Sequence, residues 1–416
     1  MGSEASTSTE VDRRALRAVA IQFFANGATI ATFVPRLPDL RDQVGVSTGG
    51  LGLILTVGTF ASLIGVLFAG RVVARVGSRR VLIYGAVLSI GSLPVIGFAT
   101  SPIALAVGLF GLLFFDIFID VAMNMQGSAL SARRHTPVMN RLHGLWSLGA
   151  VTGGLVTVAA LRADVSVATQ LTVVAIVLIG VLRLVAPGLL RTDESLTSEA
   201  SPSESTSSSE STPSSESIPS SESTSTSAST ALGAWSVAGL ALAVGGAAAM
   251  SIEMTNTDWA AFRLGDDLAA RPGVAGLGFV IFSGAMMVGR LSGDWIQVRV
   301  GPAALVRGAS VLVLIGALLS LLVASVPVSI VGFLIGGLGT SVLFPQLYDR
   351  AAQWPGKPGS GFAAMLVGQR GSAVVTPALI GALANTDALS VGQAMAIVIV
   401  PAALALLATT FISRPR

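Results

Sequence analysis

Apolar stretches of roughly 18–25 residues recur along the whole chain, and short polar segments separate them. A helix of this length can cross the hydrocarbon core of a bilayer. The pattern predicts twelve transmembrane helices, at residues 15–37, 49–71, 80–99, 102–126, 142–162, 166–188, 232–254, 274–297, 303–325, 327–348, 360–384 and 390–412. Alternating polarity over about ten residues, typical of membrane β-barrels, does not occur. We therefore expect an all-α integral membrane protein.

The second half of the chain repeats features of the first half at a fixed offset. Arg75-Val76-Gly77 returns 224 positions later as Arg299-Val300-Gly301. The same offset pairs Gly52 with Gly276, Gly65 with Gly289, Gly108 with Gly332, Gly144 with Gly368, and Val151-Thr152 with Val375-Thr376. The repeat predicts two pseudo-symmetric six-helix bundles, and such halves rock about a shared site in many secondary transporters.

Residues 192–230 differ from the rest of the chain, since they are rich in Ser, Thr and Glu and contain no Lys or Arg. So few apolar side chains cannot offset the entropy lost on folding, which predicts disorder. We expect a cytoplasmic tail at 1–14, a first bundle at 15–190, a disordered cytoplasmic linker at 191–231, a second bundle at 232–412 and a tail at 413–416. The linker is interpreted as a tether, with a phosphorylated regulatory element as the alternative.

Composition and charge agree with a membrane protein. The chain is 52% hydrophobic and 11% charged, whereas soluble domains carry about 25% charged residues. Its basic residues are spread over one set of loops instead of forming the basic face that nucleic acid would require, so no nucleic-acid partner is expected. With both termini cytoplasmic, the opposite loops hold only Arg36, Arg41, Arg162, Arg263 and Arg271. The positive-inside rule then predicts a multi-pass protein of the cytoplasmic membrane in that orientation.

Several classes of chemistry find no support in the residues. The absence of cysteine excludes disulfides, thiolate metal sites and thiol nucleophiles. The single lysine, Lys357, has no phosphate-binding loop around it. No cluster of metal ligands and no serine–histidine arrangement stands out. We therefore expect no enzymatic activity, no metal and no cofactor.

The loop between the second and third predicted helices carries a family motif. It reads Gly70-Arg71-Val72-Val73-Ala74-Arg75-Val76-Gly77-Ser78-Arg79-Arg80. This segment resembles the signature loop of the major facilitator superfamily, Gly-x-x-x-Asp-Arg-x-Gly-x-Arg-Arg, and matches it at Gly70, Arg75, Gly77, Arg79 and Arg80. The family's aspartate, which helps to latch the two halves together, is Ala74 here. The resemblance implies a gating loop in each half, and in the second copy the corresponding residues are Asp294, Arg299 and Gly301. Asp294 could supply the missing charge.

Three further segments look like a bacterial subgroup near the fucose permeases. They are Asp120-Val121-Ala122-Met123-Asn124, His143-Gly144-Leu145-Trp146-Ser147-Leu148-Gly149, and Glu253 followed by Asp258-Trp259. A fourth, Gly149-Ala150-Val151-Thr152-Gly153-Gly154, is similar to the Gly-Pro-x-x-Gly-Gly of antiporters but lacks the proline. The first resemblance implies sugar-like uptake and the second implies efflux of a drug or metabolite, so the direction of transport stays open.

Ionisable residues inside predicted spans are functional candidates, because a charge in a bilayer is costly. Asp116 and Asp120 lie one helical turn apart on the fourth span and share a face. Two carboxylates this close do not both ionise easily, which suits proton coupling. Glu253, near the end of the seventh span, is the third proton-coupling candidate. The alternatives are a gate network with His143 or loop arginines for the aspartates, and an interfacial pair with Arg263 for Glu253. Asp258 and Trp259 are interpreted as a membrane-interface anchor.

Other polar residues in the spans are candidates for binding the solute. Gln22 and Asn26 lie four residues apart on the first span, which lines the cavity in the superfamily, although interhelical hydrogen bonding would explain them equally well. Asn124 extends the polar face of the fourth span, and Trp146 could stack on a ligand. Arg370 lies in the eleventh span, where the 224-residue offset aligns it with Trp146. A cytoplasmic snorkelling arginine is its alternative.

These observations predict a secondary active transporter that moves a small solute across the membrane by alternating access. We expect an ion gradient, of protons, to drive it, and expect the protein to be a monomer in the lipid bilayer. The alternative is a non-transporting membrane sensor or scaffold that uses the linker to bind partners. The intramembrane carboxylates disfavour that alternative, because a scaffold has no need of them.

Overall fold

The structure, a computed structural model, describes residues 2–134, 138–191, 237–353, 360–386 and 388–411. Within these ranges the chain forms helices and connecting turns, with no strand. The α-helices are α1 (Gly2–Ala31), α2 (Leu37–Gln43), α3 (Thr48–Val76), α4 (Ser78–Gly97), α5 (Pro102–Arg133), α6 (Met139–Arg162), α7 (Val167–Val185), α8 (Val237–Phe262), α9 (Pro272–Ala275), α10 (Leu277–Val300), α11 (Pro302–Ala317), α12 (Val326–Thr340), α13 (Leu343–Ala352), α14 (Ser360–Ala384) and α15 (Val391–Thr409).

The predicted all-α membrane architecture is confirmed. In the described part of the chain, eleven segments are long and apolar enough to cross a membrane: Val11–Gln43, Thr48–Val76, Ser78–Gly97, Pro102–Arg133, Arg141–Arg162, Val167–Gly188, Pro272–Gly293, Pro302–Leu322, Val326–Ala351, Ser360–Ala384 and Val391–Thr409. The helix α8, 26 residues long, takes the remaining place between them. Its position completes the twelve helices expected from the pattern.

The start of the first span and the end of the seventh span differ from the prediction. The helix α1 begins at Gly2, so the residues expected as a tail continue the first helix. The helix α8 runs on to Phe262, eight residues beyond the predicted end, and a π-helical turn, Arg263–Asp267, continues it. Arg263 is buried there because Asp267 and the carbonyl oxygens of Ser320 and Val323 accept its hydrogen bonds. The predicted linker lies almost wholly outside the described residues.

Equivalent glycines bring equivalent helices together in the two halves. A Cβ added at Gly65 would stand 3.1 Å from the carbonyl oxygen of Phe114, and one at Gly289 would stand 3.3 Å from that of Leu338. Both members of the second pair lie 224 positions after those of the first. The 224-residue offset therefore holds for α3 and α5 and their counterparts α10 and α12.

The offset is different for the helix pairs α1/α6 and α8/α14. A Cβ at Gly149 would collide with the carbonyl oxygen of Phe24, and one at Gly368 with that of Ala243. Both members of this second pair lie 219 positions after those of the first. The predicted pairing of Gly144 with Gly368, and of Val151-Thr152 with Val375-Thr376, is therefore wrong. The segment between α5 and α6 and its counterpart before α14 differ by five residues, which shifts the register.

Two glycines end equivalent helices with the same backbone conformation. Gly77, between α3 and α4, has φ of 90°, and Gly301, between α10 and α11, has φ of 79°. Only glycine adopts such angles without a steric penalty. The tripeptide repeat in the sequence therefore marks one tight turn made twice, in the two predicted gating loops.

The two halves meet closely at the end of the bundle opposite these turns. A Cβ at Gly52 on α3 would stand 2.5 Å from the carbonyl oxygen of Pro377 on α14. A Cβ at Gly276, just before α10, would stand 3.1 Å from Val158 on α6. Arg41 on α2 forms an ion pair with Asp266 in the π-helical turn, across the two halves. These contacts close that end.

Candidate functional site

A cavity of about 820 Å³ lies between the two halves. Both halves contribute to its wall, with Asn26, Asp116, Asp120, Met123, His143, Gly144, Trp146 and Ser147 from the first and Glu253, Met287, Arg290, Leu291, Phe344, Pro345 and Tyr348 from the second. Its exposed residues lie towards the helix ends that carry Gly77 and Gly301. Leu291, for example, is 72% exposed and Tyr348 is 40% exposed. The cavity therefore opens at the end of the gating loops and is closed at the Arg41 end.

One amide group joins three helices at the inner part of this cavity. The Asn26 Nδ2 group donates to Asp116 Oδ1 at 2.6 Å, and the Trp146 Nε1 group donates to Asn26 Oδ1 at 2.7 Å. Asn26 is only 4% exposed. No ion pair within 4.0 Å neutralises Asp116 among the described residues. The side chain of Asp116 is thus a carboxylate held by a neutral donor, next to solvent in the cavity.

Asp120 lies one turn further along α5 and faces charges from both halves. Asn124 Nδ2 donates to its side chain at 2.9 Å. His143 on α6 and Arg370 on α14 both interact with it electrostatically. No ion pair within 4.0 Å joins Arg370 to Asp120 among the described residues, so the influence of Arg370 is long-range. It acts between α5 of the first half and α14 of the second, across the cavity.

Glu253 forms an ion pair within the second half. Its Oε2 atom lies 3.4 Å from Arg290 Nη2, which joins α8 to α10. The alternative pairing of Glu253 with Arg263 does not occur, because Arg263 is bound to Asp267 instead. Both members of the Glu253–Arg290 pair are partly exposed to the cavity, at 24% and 30% of their side-chain surface. A solute entering the cavity can reach both charges.

The other predicted solute-binding residues, Gln22, Asn124 and Arg370, do not have the positions that the sequence predicted. Gln22 is buried, at 2% exposure, and is not part of the cavity wall. Asn124 bonds back to the backbone and side chain of Asp120 and lies just outside the wall. Arg370 is not aligned with Trp146, since the 219-residue offset makes Met365 the counterpart of Trp146 and Val151 that of Arg370.

The predicted gating-loop residues lie at the open end of the bundle. Arg75 and Arg80 are exposed, and space beside Gly70 is open, with no atom within 4 Å of an added Cβ. Arg299 stacks on the ring of Trp295, 3.6 Å from its centroid, and also donates to its carbonyl oxygen. The side chain of Asp294 lies outside the described residues, so its role as a replacement charge stays a prediction.

Two cavity-lining positions, Arg290 and Asp258, escaped the sequence reasoning. Arg290 lies inside the predicted eighth span, and the rule that singled out Arg370 would have found it. Asp258 and Trp259 were interpreted as an interface anchor, which is wrong. Trp259 is fully buried, and Asp258 lines a second, smaller cavity. The continuation of α8 to Phe262 is what carries both residues into the bundle.

These features define a class of protein: a membrane transporter built from two pseudo-symmetric six-helix halves around a central polar cavity. The Major Facilitator Superfamily model matches residues 19–257. The chain belongs to this superfamily.

Relatives of known name agree with that assignment. An uncharacterised transporter of Sinorhizobium fredii is 29% identical over 88% of this chain and 90% of its own length. An uncharacterised transporter of the same superfamily from Yersinia pestis is 26% identical over 89% of each chain. The membrane protein MosC of Rhizobium meliloti is 26% identical over 81% of this chain and 75% of its own length.

Solved structures share the fold at low sequence identity. The nucleoside transporter NupG superimposes with a TM-score of 0.73 at 11% identity, over 95% of this chain and 99% of its own. A bacterial homologue of the lysosomal transporter Spinster, in an inward-facing unoccupied conformation, gives a TM-score of 0.64 at 11% identity, over 96% and 94%. At this identity the likeness concerns the fold alone. The family match and the membrane-spanning helices together make the chain a transporter of this superfamily and a multi-pass membrane protein.

Proposed function

We propose that the chain couples the movement of a small solute to the movement of protons, through carboxylates that line the central cavity. The observation that carries this proposal is the geometry of Asp116. Its carboxylate is held by the neutral amide of Asn26 and has no ion-pair partner among the described residues. A carboxylate in that position can exchange a proton with the cavity, because losing or gaining the proton breaks no ion pair.

Asp120 and Glu253 complete the proposed coupling set. Asp120 interacts with His143 and with Arg370, so its charge affects how strongly the two halves attract each other. Protonation of Asp120 would weaken that attraction, and protonation of Glu253 would release Arg290. Both changes alter the relative stability of the open and closed arrangements. A bound proton can therefore bias the alternating-access equilibrium, as any ligand does that binds two states unequally.

The distribution of arginines supports an orientation for this cycle. The end that carries Gly77, Gly301 and most of the loop arginines would be cytoplasmic by the positive-inside rule. The cavity opens at this end, so the arrangement described here would be the inward-facing one. On this basis we propose that the protein lies in the cytoplasmic membrane with both termini inside. We further propose that it acts as a monomer driven by the ion gradient, without a bound cofactor.

Within the superfamily, we retain the likeness to the fucose permeases as a proposal. It rests on the segments around Asp120, His143 and Glu253, all of which line the cavity. Sugar-like uptake and efflux of a drug or metabolite are both consistent with the cavity. The sensor or scaffold alternative is not favoured, since relatives are named as transporters.

Proton movement in proteoliposomes tests the coupling directly. The purified protein is reconstituted with a pH-sensitive dye inside, and gradients of sugars, organic anions and organic cations are applied in turn. We expect a solute-dependent pH change that Asp116→Asn abolishes. Asp164→Asn is the matched control, because Asp164 is an exposed carboxylate in the α6–α7 turn, far from the cavity, with φ of 52°, which asparagine tolerates.

A variant in which all three carboxylates are neutralised defines the result that would contradict proton coupling. If neutralising Asp116, Asp120 and Glu253 together left solute transport fully responsive to pH, coupling through these carboxylates would be wrong. Transport that persists without any pH change in the unmodified protein would also overturn it, and would indicate a uniporter or a different coupling ion.

A further inference from the structure

A second cavity, of about 170 Å³, lies beside the central one. We call it the deep chamber. It shares Trp146, Ser147, Glu253 and Arg290 with the central cavity. Its other walls come from α1, the short 3-10 turn Val34–Arg36 after it, α6, α8 and α10, and they include Ile30, Ala31, Val34, Ala150, Thr257, Asp258, Phe279, Ser283 and Met286. The deep chamber is therefore a side pocket whose boundary with the central cavity contains the Glu253–Arg290 ion pair.

The charges in the deep chamber do not balance. Three ionisable side chains line it, Glu253, Asp258 and Arg290. Arg290 is paired with Glu253 at 3.4 Å. That pairing leaves the negative charge of Asp258 without a basic partner within 4.0 Å in the described chain. An isolated charge at such a depth is costly, so a carboxylate found there indicates a ligand or proton that compensates it.

Among the described residues, the hydrogen bond that the Asp258 side chain accepts comes from Thr257, and it is a weak substitute for such a partner. Thr257 Oγ1 lies 3.2 Å from Asp258 Oδ1, but also 3.0 Å from the carbonyl oxygen of Glu253 and 3.2 Å from that of Met254. A hydroxyl group has one hydrogen to donate. Three acceptors therefore compete for it, and the shortest distance is to a backbone carbonyl. Asp258 is left with unused acceptor capacity directed at the chamber.

The walls around Asp258 are suited to an organic cation. Two aromatic side chains, Trp146 and Phe279, line the chamber with the methionine and aliphatic side chains. Aromatic rings attract cations through their quadrupole and also accept alkyl groups. An engineered apolar cavity of about 150 Å³ accommodates benzene, so a volume of this size holds a small organic group. Inorganic cations such as Ca²⁺ and Mg²⁺ prefer oxygen ligands on all sides, which these walls do not provide.

We propose that the deep chamber binds the ammonium group of an amine-bearing solute, with Asp258 as its counter-ion. The solute reaches this site from the central cavity, past the Glu253–Arg290 pair. Its ammonium group replaces the missing positive charge, and its alkyl portion contacts Phe279 and Met286. This assignment deepens the proposed transport function by naming the substrate class, and it gives Asp258 a role separate from the coupling carboxylates.

Binding of simple alkylammonium ions tests this site without any transport assay. The intact protein in detergent is titrated with ethyl-, butyl- and hexylammonium chloride, and with the corresponding neutral alcohols, by thermal shift and by calorimetry. We expect saturable stabilisation by the ammonium ions and none by the alcohols at equal concentration. Asp258→Asn should weaken ammonium binding by at least about tenfold, while Asp164→Asn leaves it unchanged.

A second variant keeps the test valid if Asp258→Asn folds poorly. Ser283→Val adds apolar volume to the same chamber and leaves all charges in place, since Ser283 is a lining residue that is 7% exposed. It should lower the longest ammonium ion's affinity more than the shortest one's. Size-exclusion profiles and melting temperatures verify that each variant is folded before binding is measured.

Three results would overturn the proposal. Equal binding of ammonium ions and alcohols would make the chamber an apolar pocket only. Equal ammonium affinity in the unmodified protein and Asp258→Asn would remove Asp258 from the site. Absence of ammonium binding, together with an altered pH response of transport in Asp258→Asn, would make Asp258 a proton site. Failure of proton coupling is distinguishable, because it concerns Asp116→Asn and the pH dye and leaves ammonium binding intact.

Discussion

Asn26 has both atoms of its amide group hydrogen-bonded in the central cavity. Its oxygen accepts from Trp146, whose indole can only donate, and its nitrogen donates to Asp116. The orientation of the amide is therefore fixed by its two partners. When Asp116 takes up a proton, its carboxyl group gains a donor and loses its charge, so the bond from Asn26 weakens. Because Trp146 is on α6, a protonation event on α5 is passed to a third helix through this one amide.

The Glu253–Arg290 pair gives a prediction at the same scale. Removal of either charge leaves the other in a partly dry cavity, which costs more than removal of both. We expect Arg290→Gln to lower the free energy of unfolding in an SDS titration, and Glu253→Gln to restore part of the loss. The coupling energy of the double-mutant cycle should be about 0.5–3 kcal/mol.

A distant carboxylate provides the reference for that cycle. Arg290→Gln combined with Asp164→Asn should be additive within about 0.5 kcal/mol. If the Glu253 cycle were equally additive, the two side chains would not interact in solution, and the deep chamber would have a different charge balance from the one described.

Residues with intramembrane charge were the most predictable part of the site. Asp116, Asp120 and Glu253, which line the central cavity, could be singled out because a single charge is conspicuous in an apolar run. Asp258 was misplaced because the polar residues that follow it resemble a loop. Arg263 and Asp267 nevertheless remain helical, since they bond to each other and to buried backbone groups. Hydropathy cannot detect partners that are distant in sequence, so it ends the helix too early.

At the scale of elements, the described glycines with the least room for a side chain lie where α1 crosses α6 and where α8 crosses α14. Gly149 lets α6 approach the backbone of α1, and Gly368 lets α14 approach the backbone of α8. The absence of a side chain here permits close packing, which is the main source of helix association in lipid. Each crossing joins an innermost helix to one that contacts the other half, so these two pairs set the width of the cavity.

Two glycines of the same helix offer a matched test of this packing. Gly149→Ala should destabilise the protein by about 1–3 kcal/mol, because its Cβ would collide with the backbone of Phe24 and the helices must separate. Gly144→Ala should be neutral or slightly stabilising, since no atom lies within 4 Å of the added Cβ and alanine favours helices. Melting temperatures in detergent compare the two, and equal effects would contradict the proposed crossing.

The elements themselves were predictable, but their register was only partly so. Twelve apolar runs gave the helices, and the repeated Arg-Val-Gly tripeptide located two equivalent turns. One offset was assumed for the whole repeat, whereas loops of different length shift α6 and α14 by five residues relative to α3 and α10. A match of single glycines in a glycine-rich chain cannot detect such a shift. It becomes visible only when the contact partners of each glycine are compared.

At the scale of the whole molecule, the two halves are held together mainly by apolar packing at one end. The ion pair between Arg41 and Asp266 is the single one that joins the halves among the described residues. Arg41 also lies over the ring of Phe262, 5.3 Å from its centroid. Both contacts belong to the state in which this end is closed, and both must break when it opens. They therefore stabilise the arrangement that is closed at the Arg41 end relative to the arrangement that is open at that end.

Removal of this contact should shift the balance between the two arrangements. We expect Arg41→Ala to speed the labelling of a cysteine placed at Ser283 by a membrane-impermeant maleimide added at the Arg41 end. The increase should be about fivefold or less, since a partly exposed ion pair contributes up to about 1 kcal/mol. The chain contains no native cysteine, so the background is low.

Two further variants decide whether the charge pair is responsible. Exchange of the charges, Arg41→Asp with Asp266→Arg, should return the labelling rate towards that of the unmodified protein. Arg271→Ala removes another arginine at the same end whose side chain forms no ion pair among the described residues, and should have no effect. Equal acceleration by Arg41→Ala and Arg271→Ala would mean that only the net charge matters.

The ion pair at the closed end also makes the transporter sensitive to the medium on one side. Dissolved salt screens partly exposed charges over about 10 Å at 0.1 M. Salt bathing the Arg41 end would weaken the contact that closes it, while salt on the other side would not reach it. Equal salt on both faces would hide this difference, and a salt gradient would reveal it. The protein would then respond to salt on one side only. The ionic strength of the compartment at the Arg41 end would set how readily the cavity opens to that compartment.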